Sequence, residues 1–155
     1  MSDYPFRDSS LPMRERVADL LGRLTKEEKL NMLSTFMEAV PRLGVGEWHV
    51  GTEVARGYVG RDKEEYSTVL PQPVGMASMF DPELMYKLGE IAGNEARYYY
   101  QKNPDGKLML WGPTVDMERD PRWGRTEEAY GEDPFLTGEM SKAYTKGMAG
   151  DDPVY

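Results

Sequence analysis

Apolar positions recur at three- and four-residue spacing early in the chain, at Val17, Leu20, Leu21 and Leu24. That period predicts an amphipathic helix, with Gly22 near its end and residues 1–11 as a polar, extended lead-in. Thr25-Lys-Glu-Glu28 has the capping-box pattern, a hydroxyl and a carboxylate placed to satisfy orphan helix N–H groups. A second short helix is therefore predicted to bury Leu30, Leu33 and Phe36 or Met37, with Pro41 and Gly44 breaking it.

Trp48 to Gly51 reads as a short strand running into a loop at Thr52–Gly60, and residues 61–75, rich in charge, Pro and Gly, read as loop. Asp81-Pro-Glu83 is a helix start: an N-cap, a proline at the first helical position and an acid in the first turn. The helix runs to about Tyr100, with Leu84, Leu88, Ile91, Ala92 and Glu95 on neighbouring turns. Asn103-Pro-Asp-Gly106 is a turn, Leu108 to Trp111 a strand, and Gly112-Pro113 opens a long loop. Asp133-Pro134 repeats the cap signature for a last helix to about Met148, ended by Gly150.

Strands alternating with helices predict an α/β fold with a parallel sheet. Two strands cannot complete such a sheet, which is buried on both faces. The loops after both strands run to about 25–30 residues, a length that usually carries function. In a (β/α)8 barrel, loops in that position build the active site. The chain therefore looks like the first few units of a TIM barrel, cut short of the about 250 residues that one takes in full.

Composition narrows the chemistry. The 155 residues carry a net charge of −8, which disfavours a nucleic-acid backbone as partner. Without cysteine there are no disulfides or thiolate metal sites, and one histidine, His49, allows no histidine-rich metal site. No run approaches the roughly 18 apolar residues of a membrane span. No signal peptide shows at the N-terminus, and the expectation is a cytoplasmic protein with no cofactor and no membrane partner.

Several segments resemble one known family. Leu24-Thr-Lys-Glu-Glu-Lys-Leu30 is similar to its opening helix. Val69-Leu-Pro-Gln-Pro-Val-Gly75 with Phe80-Asp-Pro-Glu-Leu84 is similar to a second segment in order and spacing. Asp116 to Pro134, which contains Arg119-Asp-Pro-Arg-Trp-Gly-Arg125, resembles the family hallmark nearly throughout. The family is glycoside hydrolase family 3, of β-glucosidases, β-xylosidases and β-N-acetylhexosaminidases.

The resemblance implies that residues 1–155 are the N-terminal half of a TIM barrel, an incomplete part of one barrel domain, and that the activity is retaining, β-glucosidase-like hydrolysis of a terminal β-linked sugar. It implies that Arg125 binds the glycone and that Glu53, in Gly51-Thr-Glu-Val-Ala-Arg-Gly57, accepts hydrogen bonds from hydroxyls across the ring. Both roles suit the residue types: a guanidinium is a rigid fork of donors, and a carboxylate accepts from paired hydroxyls. Many family members read Glu-Ala-x-His-Gly at Glu53, and Arg56 departs from that pattern. Asp120, Pro121, Arg122 and Gly124 are expected to fix the loop, Glu128 to order it as a partner, and Trp123 to offer an apolar face to sugar or barrel wall. Arg97 and Glu95 are expected to be solvated or ion-paired between helices, an ion pair with Arg56 is the plainer reading of Glu53, and His49 is expected to be packed.

Neither catalytic carboxyl is expected in this chain. A retaining glycosidase needs two, about 5–5.5 Å apart. The family's nucleophilic aspartate lies in a Ser/Thr-Asp-Trp type segment, its acid/base typically comes from a following domain, and its Lys-His pair falls later. None of these segments occurs here, and the carboxylates of Glu127, Glu128, Glu132 and Asp133 are read as structure and binding. The implied partners are a β-linked oligosaccharide or glycoside and the remainder of the barrel. The competing reading is a non-catalytic carbohydrate-binding or interaction fragment.

Overall fold

The computed structural model describes residues 4–104 and 108–151. The chain forms two compact units, Met1–His49 and Val50–Tyr155.

In the first unit the lead-in is not extended throughout. Pro5–Arg7 is a 3-10 turn held on helix α1 (Met13–Arg23): the Phe6 amide donates to Asp19 at 3.2 Å, and Arg16 Nε donates to the Phe6 carbonyl at 3.0 Å. Leu24 is buried with Val40 and Leu43, whereas Val17 and Leu21 stay near half exposed. Helix α2 (Lys26–Asn31) starts with the predicted capping box. The Glu28 amide donates to Thr25 Oγ1 at 3.2 Å, and the Thr25 amide to Glu28 Oε2 at 2.8 Å.

Helix α2 is only six residues long and leaves Leu30 and Leu33 exposed, contrary to the expected apolar face. Phe36–Met37 is a strand (β1), not helix, and pairs antiparallel with Trp48–His49 (β2). The His49 ring stacks on Phe36 at 6.1 Å, so the histidine is packed. The expected strand at 48–51 is therefore the return arm of this pairing, and the parallel sheet starts later.

In the second unit, β3 (Thr52–Glu53) lies parallel to β4 (Leu110–Trp111), with Thr52 opposite Leu110 and Glu53 opposite Trp111. The strand falls where a loop was expected. Alternation explains it: Thr52 and Val54 are buried while Glu53 between them faces out. A short helix, α3 (Pro73–Ala77), interrupts the expected 61–75 loop, with Pro73 in its first turn. Of the predicted turn Asn103–Gly106, residues 105 and 106 lie outside the described residues.

Helices α4 (Pro82–Lys102) and α5 (Pro134–Ala149) carry the core of this unit. Asp81 and Asp133 cap them as predicted, accepting from the Leu84 amide at 3.0 Å and the Phe135 amide at 2.6 Å. The buried stripe of α4 is Met85, Gly89, Ala92, Gly93, Ala96 and Tyr99, displaced from the large aliphatics that the spacing favoured. Close approach is the reason. A Cβ on Gly89 would stand 2.2 Å from the Tyr144 carbonyl, and one on Gly147 would stand 2.0 Å from the Tyr86 carbonyl. Small residues let the two helix backbones touch, so Leu84 and Ile91 are left more than a third exposed. Among the described residues Glu95 and Arg97 form no ion pair between helices. Glu95 accepts from the Thr68 amide and hydroxyl, and Arg97 donates to the Ala149 carbonyl at 2.7 Å, capping α5.

Candidate functional site

The parallel pair places the segments after β3 and β4 side by side. Around them lies an open cavity of about 610 Å³, lined by Glu53, Arg56, Gln72, Trp111, Asp116, Arg125, Glu127 and Glu128 among others. That volume is in the range of small-ligand sites.

Glu53 and Trp111 are register partners and share one face of the two-stranded sheet. The peptide that follows Glu53 is held at both its groups: the Val59 amide donates to the Glu53 carbonyl at 3.0 Å, and the Val54 amide to the Trp111 carbonyl at 2.9 Å. The Glu53 side chain is exposed to the cavity, and among the described residues it forms no ion pair with Arg56.

Arg125 precedes a 3-10 turn, Thr126–Glu128, and meets Glu128 in a two-point ion pair: Nε to Oε1 at 2.9 Å and Nη2 to Oε2 at 2.5 Å. The turn brings positions 125 and 128 onto one side of the chain. The hydrogen bond to Glu128 raises the already high guanidinium pKa, the Glu128 charge adds to this, and Asp116 and Glu53 contribute less. The same hydrogen bond holds the Glu128 carboxyl below its ordinary range. Arg125 is therefore a fixed cation in a wall that also carries the carboxylates of Glu53, Asp116, Glu127 and Glu128.

The remaining hallmark residues lie elsewhere. Asp120 accepts from the Arg122 amide at 2.9 Å and from its guanidinium at 2.9 and 2.6 Å, and the Trp123 amide donates to the Asp120 carbonyl at 3.0 Å. The bond to Arg122 lowers the Asp120 pKa. None of Asp120, Arg122 and Trp123 lines the cavity of Glu53 and Arg125. Among the lining residues that the sequence did not single out as binding groups are Trp111, Gln72, Asp116 and Arg56. Trp111 was readable only as part of an apolar strand, and its place beside Glu53 depends on a strand pairing across 58 positions that local pattern does not encode.

Chemically, the wall offers a fork of donors at Arg125, an acceptor at Glu53, an amide at Gln72 and an indole face at Trp111. Such a set suits a polyhydroxylated ring with one apolar face. Among the described residues no cluster of His, Cys, Asp or Glu could hold a metal ion, and no helix is long and apolar enough to cross a membrane.

Residues 20–154 match the sequence profile "Glycosyl hydrolase family 3 N terminal domain". The chain belongs to glycosyl hydrolase family 3. It is 38% identical over 157 residues to a xylan 1,4-beta-xylosidase of Xylanibacter ruminicola, covering 96% of this chain and 18% of the relative. It is 38% identical over 152 residues to beta-D-xylosidase 1 of Arabidopsis thaliana, covering 94% of this chain and 20% of the relative. Among solved structures, a family 3 exo-beta-xylosidase in complex with a xylobiose aziridine probe superposes with a TM-score of 0.81 at 28% identity, over 98% of this chain and 20% of that one. A beta-glucosidase from Kluyveromyces marxianus in complex with glucose gives 0.65 at 29% identity, over 85% of this chain and 16% of that one. The chain thus spans about a fifth of the length of its curated relatives. Its fold is the family's α/β, TIM-barrel type, in its N-terminal part.

Proposed function

We propose that this chain forms part of the glycone-binding wall of a retaining family 3 glycosidase that removes a terminal β-linked sugar. The observation that carries the proposal is that Glu53, the last residue of β3, and Arg125, in the segment after its parallel neighbour β4, line a single cavity. In this reading Arg125 donates to vicinal hydroxyls, Glu53 accepts from others, and Trp111 meets an apolar ring face. Binding the sugar at several points lets that energy assist reaction at the anomeric carbon. Two further carboxyls, supplied from outside these 155 residues, act as nucleophile and acid/base, and a covalent glycosyl-enzyme forms between two inversions.

For the sugar we favour xylose over the glucose of the first expectation. The support is that the curated relatives at 38% identity carry xylosidase names. The test is turnover of 4-nitrophenyl β-D-xyloside against the matching glucoside by the full-length gene product. A higher kcat/KM for the xyloside is expected, and a higher value for the glucoside contradicts the choice.

The rest of the barrel is the partner this reading needs. Strands β3 and β4 each have one neighbour among the described residues, and parallel sheets are normally buried on both faces. Trp111 is 53% and Val115 60% exposed beside that sheet. The 155-residue chain by itself is expected to give no cooperative melt and no turnover of either glycoside. A monodisperse, cooperatively melting 17.7 kDa species contradicts the need for that partner.

A further inference from the structure

The chain reverses direction immediately after Glu53, between Val54 and Gly57. Gly57 has φ +94°, and a Cβ there would meet the Thr68 carbonyl at 2.2 Å, so the turn is both tight and enclosed. A side chain from α5, remote in sequence, closes it. The Tyr144 hydroxyl donates to the Val54 carbonyl at 2.7 Å and accepts from the Gly57 amide at 3.3 Å. Val54 is then held at both polar groups, its amide by the Trp111 carbonyl at 2.9 Å and its carbonyl by Tyr144.

Tyr144 and Val54 are both fully buried. Burial pushes the Tyr144 phenol up to about 12, against a lowering contribution from the Gly57 amide, so the hydroxyl remains a donor at every working pH. Tyr130 provides a contrast in the same core. It is equally buried, but its hydroxyl has no hydrogen-bond partner among the described residues.

We infer that Tyr144 is a positioning residue for Glu53: by clamping Val54 and Gly57 it fixes the backbone that aims the Glu53 carboxylate into the cavity. This rests on the reading of Glu53 as a sugar-binding group. Tyr144 touches no cavity surface and acts only through the turn. Losing one buried, doubly used hydroxyl loosens the turn without emptying the core, since the ring remains.

The experiment uses the full-length gene product and 4-nitrophenyl β-D-xyloside. Tyr144→Phe is expected to lower kcat/KM by about tenfold, mainly through KM, because the Glu53 contact is made in ground and transition states alike. Tyr130→Phe is expected to leave kcat/KM unchanged. Replacing Tyr144 with 4-aminophenylalanine, which keeps an N–H donor for the Val54 carbonyl, is expected to restore most of the loss. In a Glu53→Gln background, adding Tyr144→Phe is expected to change kcat/KM by less than about twofold, because the two act as one unit. The positioning role is overturned if Tyr144→Phe is silent, if its loss is undiminished beside Glu53→Gln, or if Tyr130→Phe costs as much. If Glu53→Gln itself changes nothing, the sugar-wall reading fails, and the role of Tyr144 with it.

Discussion

Arg125 and Glu128 are joined by two parallel hydrogen bonds, Nε to Oε1 at 2.9 Å and Nη2 to Oε2 at 2.5 Å, at the edge of the cavity that Glu53 also lines. A two-point pair fixes the plane of the guanidinium, which a single contact cannot do. The function proposed for Arg125 depends on that plane.

Glu128→Gln keeps the shape but removes the charge. In the full-length protein it is expected to raise KM for a β-xyloside on the order of tenfold, as the loss of a partner that orients a binding group commonly does. The melting temperature is expected to stay nearly constant, because pairs this exposed add little stability. An unchanged KM rules out the orienting role.

The pair also has a pH signature. Arg125 lowers the Glu128 pKa in the folded chain, so its contribution is complete above the ordinary carboxylate range and is lost as pH falls through the depressed folded value. The Arg125 Nε–H resonance is expected to keep its hydrogen-bonded position down to about pH 4, the ordinary glutamate value, and to move only at more acid pH. Movement centred above that value contradicts a depressed pKa.

Two glycines should respond oppositely to alanine. Gly147→Ala drives a methyl to 2.0 Å from the Tyr86 carbonyl and is expected to cost roughly 1–3 kcal/mol or more in denaturant unfolding of the full-length protein. Gly22, within α1, has nothing within 4 Å of its would-be Cβ and no positive φ. Gly22→Ala is expected to stabilise by about 0.5–1 kcal/mol. Equal effects at the two sites contradict the account of how α4 and α5 pack.

Capping offers an independent check on α4. Asp81→Ala removes the acceptor for the Leu84 amide and is expected to cost about 1 kcal/mol. A cost within error of zero means the cap contributes nothing in this context.

What the sequence made legible was local. Thr25 with Glu28, Asp81 with Pro82, Asp133 with Pro134, and Gly150 at φ +71° each mark a helix end through chemistry confined to a few residues, and each stands where it was read. Elsewhere distant backbone decides. Phe36 continues a helical spacing but pairs with His49 as strand. Thr52–Glu53 reads as loop until Leu110–Trp111 supplies its hydrogen bonds. Along α4 the spacing favoured Leu84 and Ile91, but the glycines and alanines face inward because α5 comes within backbone contact. In the candidate site, Glu53, Arg125 and Glu128 were readable through family resemblance. Trp111, Gln72 and Asp116 join them only through the strand pairing and the loops that follow it.

In the proposed function Glu53 and Arg125 grip the same sugar. The most direct test is kcat/KM of the full-length protein on 4-nitrophenyl β-D-xyloside for Glu53→Gln, Arg125→Ala and the double variant, each with its melting curve. Each single variant is expected to lose at least about tenfold, the cost of one charge-assisted bond to the sugar, with melting preserved and a double variant worse than either. Folded variants that turn over the xyloside like the parent protein would contradict that shared grip.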